Sequence, residues 1–192
     1  MTGRDSARVG APVVVSVDEA VTRILALRSL PVETVLLDGP SGAGKSTLAD
    51  ALASAWAGAV GLVRMDDIYP GWGGLSAASG HVHDSLLEPR RRGVEARWRR
   101  HDWGTGQSAE WHRVPGDHSL ILEGCGALSR RNASLATIRI WLDADDEVRK
   151  QRALARDQGG FDAHWDGWQH QFGVFLAQEA PVDAADLVLR MP

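Results

Sequence analysis

Ten residues near the start of the chain have the composition and spacing of a phosphate-binding loop. Residues 38–47 read Asp-Gly-Pro-Ser-Gly-Ala-Gly-Lys-Ser-Thr and match the pattern G-x-x-x-x-G-K-[ST] at every fixed position. Glycines let the backbone fold around an anion, so that successive N–H groups and a helix N-terminus face the phosphates. In such a loop Lys45 reaches the β- and γ-phosphates, and the Ser46 hydroxyl completes a magnesium shell. The alternative is a glycine-rich turn that matches by chance.

The distribution of lysine supports a phosphate site. The chain has 21 basic residues, and only Lys45 and Lys150 are lysines. Lysine is a compact point charge on a flexible stem, whereas arginine presents a broad planar fork. A lysine at the one loop position that requires a slim cation therefore favours the functional interpretation.

Acidic residues after two predicted strands could complete a site for phosphoryl transfer. Glu123 ends an apolar strand and could support magnesium, although a carboxylate there could also cap the next helix. Asp66 follows another strand and could accept a proton from a substrate hydroxyl. Asp67 should point away from it, because side chains alternate along an extended chain. The spacing alone leaves open which of the two faces inward.

Three arginines lie at helical spacing in the second half of the chain. Arg149, Arg152 and Arg156 follow one another in steps of three and four, which puts them on one face of a predicted helix. A solvated basic face is the alternative. Because a glycine pair at 159–160 follows the helix, the arginines could instead belong to a lid that closes on phosphates.

Short apolar strands alternate with helices along the whole chain. The predicted strands cover 34–37, 61–65, 119–124, 137–143 and 186–189, and the predicted helices 17–30, 48–53, 83–90, 146–157 and 163–179. This alternation predicts an α/β fold with a parallel five-stranded sheet and helices on both faces. Ligands bind beyond the carboxyl ends of the strands in such sheets. The loop, Asp66 and Glu123 all fall there.

Residues 70–117 interrupt this alternation with an irregular stretch rich in glycine. It is too long for a plain connection, which predicts a lid or a substrate-binding insertion. Its tryptophans at 72, 98, 103 and 111 could line a pocket for a flat or apolar acceptor, or could close the small core of the insertion.

Bulk composition excludes several classes of protein. A length of 192 residues predicts a single domain, with residues 1–12 as a flexible tail. A net charge of −4 and a pI near 5.9 disfavour binding to nucleic acid or to a membrane surface. No apolar run approaches the roughly 20 residues that span a bilayer, and the first dozen residues lack a signal-peptide core. Cys125 is the only cysteine, which favours a reducing, cytoplasmic location.

From about residue 34 to residue 189 the chain resembles the uridine kinase-like P-loop kinases, relatives of phosphoribulokinase and pantothenate kinase. The segments that carry the resemblance are Met65-Asp66-Asp67-Ile68-Tyr69, similar to D-[ST]-[FY]-Y; His101-Asp102-Trp103, similar to Y-D-[FY]; Leu122-Glu123-Gly124, similar to F-E-G; and 142–157, similar to the lid helix V-D-[TA]-D…R…R…R-D. The resemblance implies a P-loop NTPase fold and an ATP-dependent kinase that uses Mg²⁺.

The resemblance also implies roles for individual residues. Asp66, Lys45 and Arg152 would be catalytic, and Ser46, Asp66 and Glu123 would lie near the metal. The residues implied in ATP binding are Gly39, Ser41, Gly42, Ala43, Gly44, Lys45, Ser46, Thr47, Arg149, Arg152 and Arg156. Tyr69, Asp102 and Trp103 would border the acceptor.

The sequence therefore predicts a kinase that transfers the γ-phosphoryl group of ATP to a hydroxyl of a nucleoside-like small molecule. The tryptophans of the insertion have no match in a uracil pocket, which keeps a non-nucleoside acceptor as an alternative. A second alternative is an ATP-binding or ATPase switch that acts through a partner. The identity of the acceptor and the oligomeric state are left open.

Overall fold

The computed structural model describes residues 12–157 and 159–191. Residues 1–11, most of the predicted tail, lie outside the described residues. The strands are β1 Val13–Val14, β2 Thr34–Asp38, β3 Val60–Arg64, β4 Ala96–Asp102, β5 Gln107–Val114, β6 Ser119–Glu123, β7 Ile138–Asp143 and β8 Leu187–Arg190. The α-helices are α1 Val17–Leu25, α2 Lys45–Ala55, α3 Leu75–Val82, α4 Glu88–Arg91, α5 Arg130–Ala133, α6 Asp146–Arg156, α7 Trp165–Glu179 and α8 Pro181–Ala184. Turns of 3-10 helix cover Met65–Asp67 and Asp162–His164, and a π-helical turn covers His83–Leu87.

The main sheet is parallel throughout the described residues, in the order β1-β8-β7-β2-β6-β3. This confirms the predicted α/β fold with a parallel sheet. The sheet has six strands, one more than predicted, because β1 adds an edge strand beside β8. Two exposed valines form β1, and such a short segment shows no periodicity that a sequence can reveal.

The central strands are buried on both faces. Every residue of β2 and β6 is buried, as expected for inner strands of a parallel sheet that is covered by helices. Val35 and Leu37 pack with Ile24 of α1 and Leu48 of α2 in one apolar cluster. Leu36 points the other way, into a cluster that contains residues of the insertion and of α7. Helices therefore lie on both faces, and the carboxyl end of β2 opens at one edge between them.

The helix α1 ends at Leu25, earlier than the sequence predicted. Ser16 caps its N-terminus as expected, since the Glu19 N–H donates to Ser16 Oγ at 3.2 Å. Beyond the helix, Glu33 Oε1 accepts from the backbone N–H groups of Ser29 and Leu30, both at 2.7 Å. Because the N–H groups of Ser29 and Leu30 bond to this side chain, they are not available for helical hydrogen bonds, and the helix ends before Pro31.

The insertion has more regular structure than its sequence suggested. It contains α3, the π-helical turn and α4 in succession, followed by the antiparallel hairpin β4–β5. Trp98 and His112 face each other across the hairpin, with ring centroids 4.4 Å apart. Trp98 is buried, so it closes the core of the insertion, whereas Trp111 is 60% exposed. No helix in the described part of the chain has both the length and the apolar character that a membrane span requires.

Candidate functional site

The phosphate-loop segment joins β2 to α2 in a conformation that requires glycine. Gly42 and Gly44 have φ angles of 82° and 95°, in the left-handed region that side chains disfavour. A Cβ atom on Gly42 would lie 1.9 Å from the Arg149 carbonyl oxygen, so the loop packs directly against the backbone of α6. Because α2 begins at Lys45, its free N–H groups face the space that the loop surrounds.

A cavity of about 210 Å³ lies over the N-terminus of α2, and we call it the donor cavity. Its lining residues are Ser41, Gly42, Gly44, Lys45, Ser46, Thr47, Asp66, Glu123, Cys125, Arg152, Ala153 and Arg156. The structure thus brings together most of the residues that the sequence assigned to ATP and metal. Ala43 is instead packed in the core beneath the loop, and Gly39 contributes its carbonyl group to Lys45.

Lys45 lies at the floor of the donor cavity. Its Nζ donates to the carbonyl oxygens of Gly39 and Pro40, both at 2.9 Å. Burial of this side chain acts to lower its pKa, but nearby Cys125 and acidic groups outweigh burial, and the pKa of Lys45 is raised. The ammonium group therefore stays charged inside the loop.

Glu123 and Ser46 form a direct pair at the edge of the same cavity. Ser46 Oγ donates to Glu123 Oε1 at 2.9 Å, and Arg64 Nε lies 3.4 Å from the same oxygen. Burial raises the pKa of Glu123 in spite of the attraction of Lys45. The next helix, α5, has Ser129 as its N-cap, so helix capping does not account for Glu123.

The oxygen atoms of Ser46, Glu123 and Asp66 are a suitable donor set for Mg²⁺. This ion prefers hard oxygen ligands and is commonly held by one or two carboxylates together with substrate phosphates. Residues 12–157 and 159–191 contain no group of three His, Cys, Asp or Glu side chains that could hold a metal alone. A magnesium ion bound here would complete its shell with water or with nucleotide phosphates.

Asp66 and Asp67 lie in a turn of 3-10 helix that follows β3. The prediction that their side chains alternate along an extended strand is wrong, because β3 ends at Arg64. Asp66 nevertheless lines the donor cavity, and its Oδ2 lies 3.9 Å from Arg156 Nη2. Asp67 is half-buried outside this lining; burial and the neighbouring Asp66 raise its pKa, and Arg64 opposes them.

The three arginines of α6 do not act as one group. Arg152 and Arg156 line the donor cavity. Arg149 Nε donates to Asp146 Oδ1 at 2.7 Å, and its guanidinium lies 5.5 Å from the ring centroid of Trp165. The loop contacts the backbone of Arg149, and the Arg149 side chain turns towards Trp165 at the start of α7.

A second cavity, of about 260 Å³, adjoins the donor cavity, and we call it the aromatic cavity. Its lining residues are Ser41, Asp66, Tyr69, Trp72, Trp103, Arg156, Asp157, Gly160, Phe161 and Trp168. Ser41, Asp66 and Arg156 belong to both cavities. The predicted acceptor residues Tyr69 and Trp103 therefore lie beside the loop.

Asp102, the third predicted acceptor residue, is placed elsewhere. Its Oδ1 accepts from the backbone N–H groups of Gly104 and Thr105, at 2.9 and 3.2 Å. These bonds close the turn between β4 and β5, so Asp102 stabilises the hairpin that carries Trp103.

Trp168 and Phe161 were missed at the sequence level. Trp168 Nε1 donates to Ser41 Oγ at 3.0 Å and joins α7 to the phosphate loop across 127 residues of sequence. Phe161 stacks on Trp72, with centroids 5.0 Å apart. In the sequence, Trp168 looks like part of the apolar face of a helix, and Phe161 lies just before that helix. No local pattern shows whether such a residue lines a cavity or packs in the core.

Asp38 is a further residue that the motif did not identify. Its carboxylate is fully buried and accepts from the N–H groups of Gly39, Gly126 and Leu128, at 2.7, 3.1 and 2.8 Å. Burial raises its pKa from 3.8 to about 6. Asp38 thereby ties the loop to the segment after β6, which places Cys125 Sγ 3.6 Å from Lys45 Nζ.

Comparisons with known proteins agree with this arrangement at the level of the fold. No family model matches the chain, and no curated protein matches it by sequence. A possible uridine kinase from Bacillus stearothermophilus has a similar structure, with a TM-score of 0.65 and 18% identity over 90% of this chain and 96% of that one. A candidate fructose transport system kinase from Silicibacter sp. TM1040 is also similar, with a TM-score of 0.58 and 18% identity over 92% and 98% of the chains. The chain thus has the fold of the uridine kinase-like P-loop kinases, as its sequence predicted.

Proposed function

We propose that this protein is a kinase that transfers the γ-phosphoryl group of ATP to a hydroxyl group of a small molecule. One observation carries the proposal: the donor and aromatic cavities meet at Ser41, Asp66 and Arg156. Phosphoryl transfer requires a nucleotide and an acceptor held in line with little covalent help from the protein, so positioning and charge dominate. Two adjoining cavities that share a carboxylate and a guanidinium meet that requirement.

The donor cavity supplies the groups that bind a triphosphate. The N–H groups of the loop and of the first turn of α2 would bind phosphate oxygens. On nucleotide binding, Lys45 would exchange the carbonyl oxygens of Gly39 and Pro40 for the β- and γ-phosphates. Arg152 and Arg156 would compensate the charge that develops on the transferring group. Such electrostatic contacts act strongly in a site that excludes water.

Ser46, Glu123 and Asp66 would hold the magnesium ion. When bound, this ion neutralises phosphate charge and orients the triphosphate. In the described structure Ser46 Oγ already donates to Glu123, which keeps the hydroxyl at the cavity edge.

Asp66 is proposed as the general base because it belongs to both cavities. In the transfer, the acceptor oxygen forms a bond to the γ-phosphorus and the bond to the β–γ bridging oxygen breaks. ADP leaves with that electron pair, and the hydroxyl proton passes to the Asp66 carboxylate. Tyr69 and Trp103 would border the acceptor, and the turn that Asp102 closes would hold Trp103 in place. A nucleoside-like acceptor is the sequence-based prediction, and a cytoplasmic reaction accords with the single buried cysteine.

The test is ADP release measured with ATP and Mg²⁺ across a panel of hydroxylated acceptors. We expect little turnover without an acceptor, because a closed site protects the phosphoryl group from water. Lys45→Ala should lower the rate of acceptor-dependent turnover by at least about 10²-fold and leave the protein folded, because it deletes the cation inside the loop. Lys150→Ala is the matched control. Lys150 is the only other lysine of the chain and is exposed, so this variant should keep parental activity. Near-normal turnover by the Lys45 variant would contradict the proposal.

A further inference from the structure

We infer that the acceptor is a small hydroxylated organic cation, an amino alcohol whose charged head lies within the aromatic cavity. This inference rests on the proposed function and specifies its substrate class. Four features of the aromatic cavity support this inference: the angles between its aromatic rings, the internal hydrogen bonds of its polar groups, its charge and its volume.

One wall of the aromatic cavity, Trp168, stands close to a right angle to two of the others. Trp168 makes an angle of 88° with Trp72 and 77° with Phe161, each at a centroid distance of 6.4 Å. Trp72 and Phe161 are nearly parallel at 19°, but their centroids are only 5.0 Å apart, so the two rings stack on each other. A flat base is held best between two parallel faces with an open slot between them. Perpendicular walls favour a compact, convex group.

The polar ends of three aromatic side chains are already used within the protein. Tyr69 Oη donates to the Cys125 carbonyl oxygen at 2.7 Å, and Trp103 Nε1 donates to the Asp66 carbonyl oxygen at 2.8 Å. Trp168 Nε1 donates to Ser41 Oγ. Their polar atoms are therefore not free to bind an acceptor, and of the three only Trp103 has an exposed ring, at 41%. A nucleobase, whose edge carries several donors and acceptors, gains little from such a lining.

The charged residues in the described lining carry a net charge of −1. They are the carboxylates of Asp66 and Asp157 and the guanidinium of Arg156. Arg156 Nε donates to Asp157 Oδ1 at 2.9 Å. If Arg156 turns to the phosphates of a bound nucleotide, Asp157 loses this ion pair and its carboxylate is left facing the aromatic cavity. Ring faces combined with anionic groups attract a cation, and this is how proteins recognise quaternary ammonium groups.

The volume of the aromatic cavity favours a small acceptor. Pockets for drug-sized ligands measure roughly 300–1,000 Å³, and this cavity measures about 260 Å³. The acceptor hydroxyl would lie at Asp66, where the donor cavity begins. The cationic head would lie against the rings that line the cavity, beside Trp72 and Trp103. An amino alcohol fits a cavity of this volume more readily than a nucleoside does.

The test compares acceptors of one shape and two charges. ADP release is measured with choline and with its uncharged isostere 3,3-dimethylbutan-1-ol, and uridine, fructose and glycerol serve as further neutral acceptors. We expect kcat/KM for choline to exceed that of the isostere by about tenfold or more, the size of a desolvated cation–π contact. Asp157→Asn should reduce this preference severalfold, whereas Asp162→Asn, which changes an exposed residue outside the cavity lining, should leave it unchanged.

A binding measurement makes the test independent of the choice of acceptor. Tetramethylammonium chloride is titrated into the intact protein at constant ionic strength, with tryptophan fluorescence as the signal and sodium chloride as the reference. We expect a saturable change with tetramethylammonium that weakens in Asp157→Asn and persists in Asp162→Asn.

The outcomes separate this inference from the proposed function. Turnover of a neutral acceptor, with no preference for choline over its isostere, would overturn the cationic acceptor and leave the kinase intact. If none of the five compounds is turned over, the titration decides: an effect of tetramethylammonium equal to that of sodium refutes the inference. ATP-dependent turnover that survives Lys45→Ala would overturn the proposed function itself.

Discussion

The buried carboxylate of Asp38 allows a quantitative prediction about how stability depends on pH. Two effects oppose each other there: burial favours the neutral acid, and three backbone N–H donors favour the carboxylate. Burial is the larger, and the pKa of Asp38 in the folded protein is about 6, against 3.8 for the free side chain. Between these two pH values the folded state holds a proton that the unfolded state has released. The contribution of Asp38 to the free energy of unfolding therefore falls as the pH rises.

The size of this effect follows from the two pKa values. They differ by about 2, so the full change amounts to ~3 kcal/mol, of which ~2 kcal/mol falls between pH 4.5 and pH 7. Asp38→Asn removes the titration and keeps an oxygen that can accept from Gly39 and Gly126. Its amide group would meet the Leu128 N–H donor to donor, so the variant should be less stable than the parent at every pH.

The assay is urea unfolding of the parent and Asp38→Asn at pH 4.5, 5.5 and 7, followed by tryptophan fluorescence. The stability difference between the two proteins should be ~2 kcal/mol larger at pH 4.5 than at pH 7. Asp117→Asn, at a side chain that is 88% exposed, should show no such trend. A difference that does not change with pH would refute the raised pKa. A difference that grows as the pH rises would mean that the three N–H donors outweigh burial.

Three further predictions concern the residues around the two cavities. Glu123→Gln should raise the Mg²⁺ concentration needed for half-maximal activity severalfold and leave metal-free ATP binding near the parental value; an unchanged Mg²⁺ titration would argue against a metal role. Asp66→Asn should lower kcat by ~10²–10⁴-fold and Asp67→Asn far less, measured at the same Mg²⁺ concentration; a large loss confined to Asp67 would assign the base to that residue. Trp168→Phe keeps an aromatic ring but loses the indole N–H that donates to Ser41 Oγ; the lost hydrogen bond alone should cost ~1 kcal/mol in stability, and KM for the acceptor should rise. Effects that simply add to those of Ser41→Ala would exclude coupling through this bond.

The parts of the site that could be predicted are those whose chemistry is local in the sequence. The phosphate loop depends on glycines, a lysine and a hydroxyl at fixed spacing, and its conformation in the structure requires those glycines. Glu123 and Asp66 were found because the carboxyl ends of parallel strands meet at one edge. Two cues thus located most of the donor cavity.

The parts that escaped prediction depend on contacts between distant segments. Trp168 reaches Ser41, and Asp38 reaches Leu128, only after the sheet and α7 are in place. For Asp102 the contacts are local but the predicted role was different. The resemblance to an acceptor motif predicted a substrate contact, whereas Asp102 accepts hydrogen bonds from the backbone of the turn that follows it. Arg149 has the spacing of a phosphate ligand, but a neighbouring carboxylate and the Trp165 ring draw its side chain away.

The position of β2 in the sheet determines when the phosphate loop can form during synthesis. β2 lies between β6 and β7, and Asp38 binds backbone groups 88 and 90 residues further along the chain. When residues 39–46 have just been synthesised, the loop therefore cannot yet adopt its folded conformation. Strand β6 and the N–H groups of Gly126 and Leu128, which hold the loop in place, have not been made. Closing a chain segment of that length is slow in comparison with forming a helix, because loop entropy must be overcome before any contact compensates for it. Nucleotide could then bind only once β6 and the segment after it have joined the sheet, so binding would report that the centre of the molecule has assembled.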